Sequence, residues 1–134
     1  MDGRGQISVE YILFVGFVLI IILLFANVIG DQQEQNNVAV AARTGAINAT
    51  AQMEITNSGM FPLRVNEVNT TGTNPINIVI YLSGSITNSQ KVQILTSTNK
   101  SIASLGYSPI YDGNSGTNQI TLNTTRHNYK ITLS

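Results

Sequence analysis

Cysteine is absent from the 134 residues of this chain, and charged residues make up only 10% of it. The lack of cysteine excludes disulfides and thiolate metal sites, so an exported domain of this sequence must rely on packing alone. Seven basic and seven acidic residues give a net charge of zero, and no basic stripe of the kind that binds nucleic acid is present. The composition therefore argues against a nucleic-acid partner. So low a content of charged residues is also unfavourable for the solubility of a free monomer.

Groups for catalysis are equally scarce. His127 is the single histidine, and Asp112 is the single acidic residue beyond Glu67. A catalytic triad or a carboxylate pair needs several such groups on one point, so we predict that His127 is a surface residue in or beside a hairpin. The segment 112–118 is similar to the start of a calcium loop but lacks the closing carboxylate, which favours a Gly/Asn turn. We predict no enzyme, no cofactor and no metal site.

The chain does contain one long apolar run. Tyr11 to Ala26 has no charged residue, and Asn27 is the first polar interruption before Ile29. A helix over this run is roughly 28 Å long, close to the thickness of the hydrocarbon core of a bilayer. The flanks do not fit a secretory signal, because the leading segment holds one basic residue and no good cleavage site follows the run. We therefore predict a membrane-spanning helix.

Three polar residues stand at set spacing against the start of the run. The segment Gly5-Gln6-Ile7-Ser8-Val9-Glu10-Tyr11 resembles the class III signal peptide of archaeal type IV pilins, whose pattern is Q-x-S-x-E-x-x-x-L. Gln6, Ser8 and Glu10 match that pattern, and Phe14 stands where the family has Leu. The resemblance covers about the first 30 residues, and such a polar triplet ahead of an apolar helix is a specific signal.

The resemblance implies a precursor held in the membrane and cut between Gly5 and Gln6 by a prepilin peptidase. It implies that the pilus assembly machinery then extracts the subunit and that copies polymerise through the apolar helix, without a cofactor. It also implies that Glu10 pairs with the new N-terminal ammonium and helps to align subunits. Without this resemblance, the simpler interpretation is that Glu10 lies among the lipid headgroups at the end of a membrane-anchoring helix.

The second part of the helix has a different pattern. Residues 31–52 contain no proline, and one stripe of mostly small apolar residues recurs at three- and four-residue steps, which predicts an amphipathic continuation to about residue 56. The stripe consists of Val38, Ala42, Ala46, Ala49 and Met53. Small side chains allow close approach, so this stripe is expected to be the docking face of a β-domain. The anchor-and-stalk alternative does not explain it.

Beyond the breaker at residues 56–59 the pattern predicts short strands. Period-two alternation occurs near residues 61–65, 76–82, 92–94, 120–122 and 129–133, with Tyr107–Tyr111 as an edge strand because it contains proline. The predicted class is α+β: a long N-terminal apolar helix followed by a small antiparallel, sandwich-like β-domain, the architecture of type IV pilins. The predicted division is residues 1–5, a cleaved signal peptide; 6–56, the helix; and 57–134, a β-rich outer domain.

Four N-glycosylation sequons begin at Asn48, Asn69, Asn99 and Asn123. In an exported chain such acceptors are expected to carry N-glycans where they are accessible. Asn69 and Asn99 fall in predicted turns, Asn123 is predicted to face away from its buried strand neighbours, and Asn48 is the site that neighbouring helices would cover. Bare surface asparagines are the simpler alternative.

These patterns predict a structural subunit of an archaeal type IV pilus-like filament, an adhesive glycoprotein at the cell surface. A single-pass, membrane-anchored surface binding protein that never polymerises is the alternative from another class. A minor tip subunit or a motility-filament subunit ranks lower, because motility subunits usually lack the Gln-x-Ser-x-Glu pattern.

Overall fold

The computed structural model describes residues 3–57, 59, 62–113, 116 and 118–134, with side chains from Ser8 onward. It confirms the predicted α+β class, a long apolar N-terminal helix followed by a small sheet. The chain divides into two compact units, Met1–Gln35 and Asn36–Ser134, and the first helix contributes residues to both. In chain order the elements are α1 (Gly3–Thr56), β1 (Val65–Thr71), β2 (Ile76–Leu82), α2 (Asn88–Ala103), β3 (Gln119–Asn123) and β4 (Asn128–Leu133).

The four strands form one sheet in the order β1-β2-β4-β3. The β1–β2 and β3–β4 pairs are antiparallel, whereas β2 and β4 are parallel. The sheet is therefore mixed, not wholly antiparallel, and it is covered by helices instead of a second sheet. The cause is α2, which follows β2 and provides the long crossover that a parallel pair requires.

Helix α2 replaces the strand predicted near residues 92–94. Ile94, Leu95, Thr98 and Ile102 are buried, a spacing that matches one face of a helix. A capping box starts the helix, because the Thr87 hydroxyl accepts from the Gln90 amide while the Gln90 side chain accepts from the Thr87 amide. The alternation of Val92 and Ile94 was a chance feature of a helical pattern.

Strand β1 begins later than predicted. It runs from Val65 to Thr71, beyond the alternation expected at residues 61–65, and Phe61 of that prediction lies outside the described residues. Most β1 side chains are polar and exposed, so hydrophobic alternation does not mark this edge strand. Its pairing with β2 defines it. Ile110, in the predicted edge segment, makes a single bridge to Thr121 of β3.

One core joins these elements within the second unit. Alternate residues of β2, β3 and β4 are fully buried, including Ile78, Ile131 and Tyr129. They share a cluster with the buried faces of α2 and of α1 beyond Asn36. Each fully buried aliphatic side chain contributes about 1.5–3 kcal/mol to stability, so this core is the main source of stability in the domain.

Candidate functional site: the N-terminal helix and its two environments

The first unit presents large apolar side chains on every side of α1. Tyr11 is 67% exposed, Phe14 65% and Phe25 63%. The most apolar 18-residue stretch has a mean hydropathy of 3.1, and none of it is buried. A helix that is apolar all round is normally surrounded by lipid or by other protein. By length and composition, α1 could cross a membrane.

Asn27 is the polar interruption of this surface. Its side-chain amide donates to the Leu23 carbonyl one turn earlier, at 3.1 Å. This bond within the helix satisfies part of the amide without a partner from outside. Asn27 therefore costs less in an apolar environment than an unpaired amide would.

The motif residues lie at the beginning of the same helix. Ser8 and Glu10 are exposed on α1, and Gly5 and Gln6 belong to its first turns. No ion pair to Glu10 is present within the described part of the chain, and nothing there covers its carboxylate. The Glu10 side chain is therefore exposed in the described part of the chain.

The predicted stripe of the second unit is confirmed as a docking face. All five of its residues are buried, with Val38, Ala42 and Ala46 fully inaccessible. At Gly45 the backbone of α2 comes so close that a Cβ atom would lie 2.6 Å from the Cα of Thr98. The Ser97 hydroxyl also donates to the Gly45 carbonyl at 2.8 Å. Small residues thus let α2 lie against the backbone of α1.

The four sequons have different surroundings. Asn69 lies in strand β1, opposite Val79, and Asn99 lies in α2, so neither is in the predicted turn. Asn99 is half-buried, and its Oδ1 is buried without a hydrogen-bond partner in the described chain. Asn69 and Asn123 are exposed, and Asn123 does face away from its buried neighbours. Both side chains lie on the sheet face opposite the core.

Asn48 is exposed on α1, but the rest of its sequon is not. Thr50 is 5% exposed, and its hydroxyl donates to the Ile47 carbonyl at 2.9 Å. Access to the whole sequon is therefore best at Asn69 and Asn123. Glycan attachment itself stays a prediction at all four positions.

His127 is half-buried in the connection between β3 and β4. Its ring packs edge-on against Tyr129, with centroids 6.2 Å apart. The Thr124 hydroxyl accepts from the amides of Arg126 and His127 and donates to the His127 carbonyl, which closes the turn. The side chain therefore has a structural environment beside the hairpin, more enclosed than the predicted surface position.

The predicted Gly/Asn turn at residues 112–118 lies partly outside the described residues. The adjacent Tyr111 hydroxyl is buried and has no hydrogen-bond partner in the described chain. Burial, and then the neighbouring Asp112 carboxylate, raise the pKa of Tyr111 above its ordinary value. No group of three or more His, Cys, Asp or Glu side chains that could hold a metal ion occurs among the described residues.

A groove of about 480 Å³ lies between the last turns of α1 and helix α2. Met53 and Val92 form part of its apolar wall, while Gln52, Ser97 and Lys100 contribute polar groups. Lys100 is the one charged residue among the described residues that line the groove. These described walls can donate and accept hydrogen bonds.

Sequence reasoning missed a second apolar face of α1 in the second unit. Val40, Ile47 and Ile55 are 62%, 42% and 84% exposed. Their spacing of seven and eight residues is a helical repeat, so the signal was present in the sequence beside the stronger alanine stripe.

Comparison with known proteins found no match: no family model matches this chain, and no curated protein matches it.

Proposed function

We propose that this chain is the structural subunit, a pilin, of an archaeal type IV pilus-like filament used for adhesion. The observation that carries the proposal is the combination of the Gln6, Ser8 and Glu10 motif with an apolar helix segment that its own chain leaves uncovered. Such a surface needs lipid first and other copies afterwards. The β-domain would form the outer sheath, with N-glycans on accessible sequons.

The physical step in assembly is the transfer of the apolar helix from lipid to a core of identical helices. Lipid is already apolar, so the transfer gains little from the hydrophobic effect and depends on packing and polar pairing. Extraction of the subunit should therefore need an energy-driven machine. The resemblance supplies one, together with the prepilin peptidase that removes residues 1–5.

Glu10 has a defined role in this proposal. A carboxylate inside an apolar helix core is costly unless it is paired. The ammonium of a neighbouring Gln6, created by cleavage after Gly5, is the pairing partner that the resemblance implies. The pair would favour the axial position at which each new subunit enters the filament.

The first test is mass spectrometry of the protein from its native cell surface. The expected N-terminal peptide begins at Gln6, and hexose-type additions are expected on peptides containing Asn69 or Asn123. A chain that keeps Met1 or Asp2 would contradict the pilin proposal and support the membrane-anchored binding protein. A Gln6 cyclised to pyroglutamate would remove the ammonium and contradict the role given to Glu10.

The second test separates a filament from an anchor. Glu10→Ala should reduce the yield of sheared surface filaments at least about tenfold, because an unpaired ammonium then remains in an apolar core. Glu67→Ala, at an exposed position of β1, is the matched control and should leave the yield unchanged. An unchanged yield for Glu10→Ala would contradict its assembly role. A wild-type chain found only as a detergent-soluble monomer would contradict the filament itself.

A further inference from the structure

The groove between the end of α1 and helix α2 has an apolar floor. Ala49 and Met53 of α1 are buried, and Val92 of α2 is half-buried. The floor lies within the second unit, beside the contact at Gly45 where the backbone of α2 leaves no room for a Cβ atom. Because packing of the domain holds these side chains, the groove is part of the fold. Its volume of about 480 Å³ is within the range of sites for small molecules.

Polar side chains surround this floor. Gln52 of α1 and Gln93 and Thr96 of α2 line the groove. None of these three side chains forms a hydrogen bond to another residue in the described part of the chain. Each carries both a donor and an acceptor, so each can bind a hydroxyl group in either direction.

Lys100 gives the groove a positive charge. It is exposed, and it is the one charged residue among the described residues that line the groove. Its ammonium forms neither an ion pair nor a hydrogen bond within the described part of the chain. An ammonium attracts an anionic group and repels a cation. The groove therefore fits a small molecule with one negative charge and several hydroxyl groups.

We propose that this groove binds an acidic sugar, a pyranose that carries one carboxylate. The carboxylate pairs with Lys100, the ring hydroxyls bond to the amides of Gln52 and Gln93, and the C–H groups of the ring lie on Met53. An acidic peptide could also pair with Lys100, but its backbone lacks the neighbouring hydroxyls that suit side chains able both to donate and to accept.

This site goes beyond the proposed pilin and does not depend on polymerisation. One exposed ion pair and a few hydrogen bonds give a weak site. A filament would repeat the site in every subunit, and many weak sites on one polymer act together when they meet a surface that carries many copies of the sugar. Acidic glycans are thus the class of surface that the site would recognise.

NMR titration of the full chain in detergent micelles with glucuronate tests the site. We expect shifts of the side-chain amide signals of Gln52 and Gln93 and of the Met53 methyl signal, with a Kd of about 1–10 mM. Glucose, which lacks the carboxylate, should bind at least about threefold more weakly. Groove signals that do not respond to glucuronate, or equal affinities for both sugars, would overturn the proposal.

Removal of one charge separates the groove from general attraction. Lys100→Gln should weaken glucuronate binding at least about threefold and leave glucose binding unchanged. Lys91→Gln is the matched control, because Lys91 is on the same helix but donates to Asn118 at 2.9 Å and is not among the lining residues. It should bind glucuronate as the wild type does. Equal losses in the two variants would overturn the role of the groove.

An added carboxylate gives a test that keeps Lys100. Gln93→Glu, at an exposed position, should weaken glucuronate binding at least about fivefold by placing a like charge in the groove. Asn88→Asp, exposed at the start of α2 and outside the groove, should have no such effect. Equal affinities for Gln93→Glu and the wild type would overturn the site, and tighter binding of a tetraglutamate peptide would overturn the choice of a sugar. Cleavage after Gly5 is measured separately, so these failures would not contradict the pilin proposal.

Discussion

Residues 11–29 and residues 38–53 belong to the same helix, yet their side chains have opposite environments. In the first stretch the residues are large and exposed, as at Phe17 and Leu24. In the second, a stripe of small residues such as Ala42 and Ala46 is completely buried by the chain itself. Helix formation is common to both, so side-chain size and placement decide which part the chain covers itself and which part it leaves exposed.

The difference has a simple physical basis. Alanine and glycine allow backbones to approach closely, and at Gly45 the backbone of α2 leaves no room for a Cβ atom. Large residues on every side of a helix cannot be buried by one small sheet, because a sheet or helix covers only one side of its neighbour. Coverage on all sides therefore requires a membrane or several helices.

A charged substitution in each stretch should give the largest difference between the two stretches. Ala46→Asp puts a carboxylate where the native side chain is fully buried, and we expect the free energy of unfolding of the domain to fall by about 4 kcal/mol. The measurement is thermal or denaturant unfolding of the full chain in detergent micelles, followed by near-ultraviolet circular dichroism.

The matched variant is Ile20→Asp, at a position 58% exposed in the apolar stretch. It should leave domain unfolding unchanged but cost about 2.5–3.5 kcal/mol in membrane insertion. Two variants with the same effect on domain unfolding would show that the stretches are not independent in the way that their burial indicates.

Substitution of one glycine in each stretch should show the same difference with a smaller change in stability. Gly45→Ala places a Cβ 2.6 Å from the Cα of Thr98 and 2.8 Å from the carbonyl oxygen of Ser97. Since both obstacles are backbone atoms, α2 must move, and we expect a net loss of about 1–3 kcal/mol after the gain in helix propensity. The lower unfolding midpoint of the domain is the measurement.

Gly16→Ala is the control in the apolar stretch, where a Cβ would meet no described heavy atom within 4 Å. The midpoint of domain unfolding should remain at the wild-type value. If Gly45→Ala also remains there, α2 does not pack against α1 as closely as the structure places it.

The same contrast explains how much the sequence could predict. Apolar runs and small-residue stripes are local patterns, so the long helix and its buried face at Val38 and Met53 could be predicted correctly. Helix α2 could have been found from the Thr87–Gln90 capping box and the spacing of Ile94, Leu95 and Ile102. The alternation of Val92 and Ile94 competed with that signal.

Other features depend on pairing between distant segments. Strand β1 has two partly buried residues and none that is fully buried, so its position follows from its register with β2. The parallel β2–β4 pair likewise depends on the path taken through α2. Asn69 and Asn99 were predicted to lie in turns because β1 and α2 were not recognised. In the structure Asn69 lies in β1 and Asn99 lies in α2, so both turn predictions were wrong.

Two tyrosines, one from the apolar stretch and one from the folded domain, should show the smallest difference. Tyr11 is 67% exposed in the apolar stretch, whereas the Tyr111 hydroxyl is buried in the domain without a described hydrogen-bond partner. Burial and Asp112 raise the pKa of Tyr111, so the folded state favours the neutral phenol. Its contribution to stability is therefore complete below the unfolded pKa of about 10 and is lost as the pH rises through the higher folded pKa.

Tyr111→Phe should remove this alkaline loss. Below about pH 9 we expect the variant to equal or slightly exceed the wild type in stability, since it deletes an unpaired buried hydroxyl. Above about pH 10 its advantage in unfolding midpoint should widen, because phenylalanine cannot ionise. Tyr11→Phe, outside the folded domain, should follow the wild-type profile throughout. Parallel profiles for Tyr111→Phe and the wild type would mean that the phenol ionises without leaving its site, and that the burial of its hydroxyl does not restrict the domain.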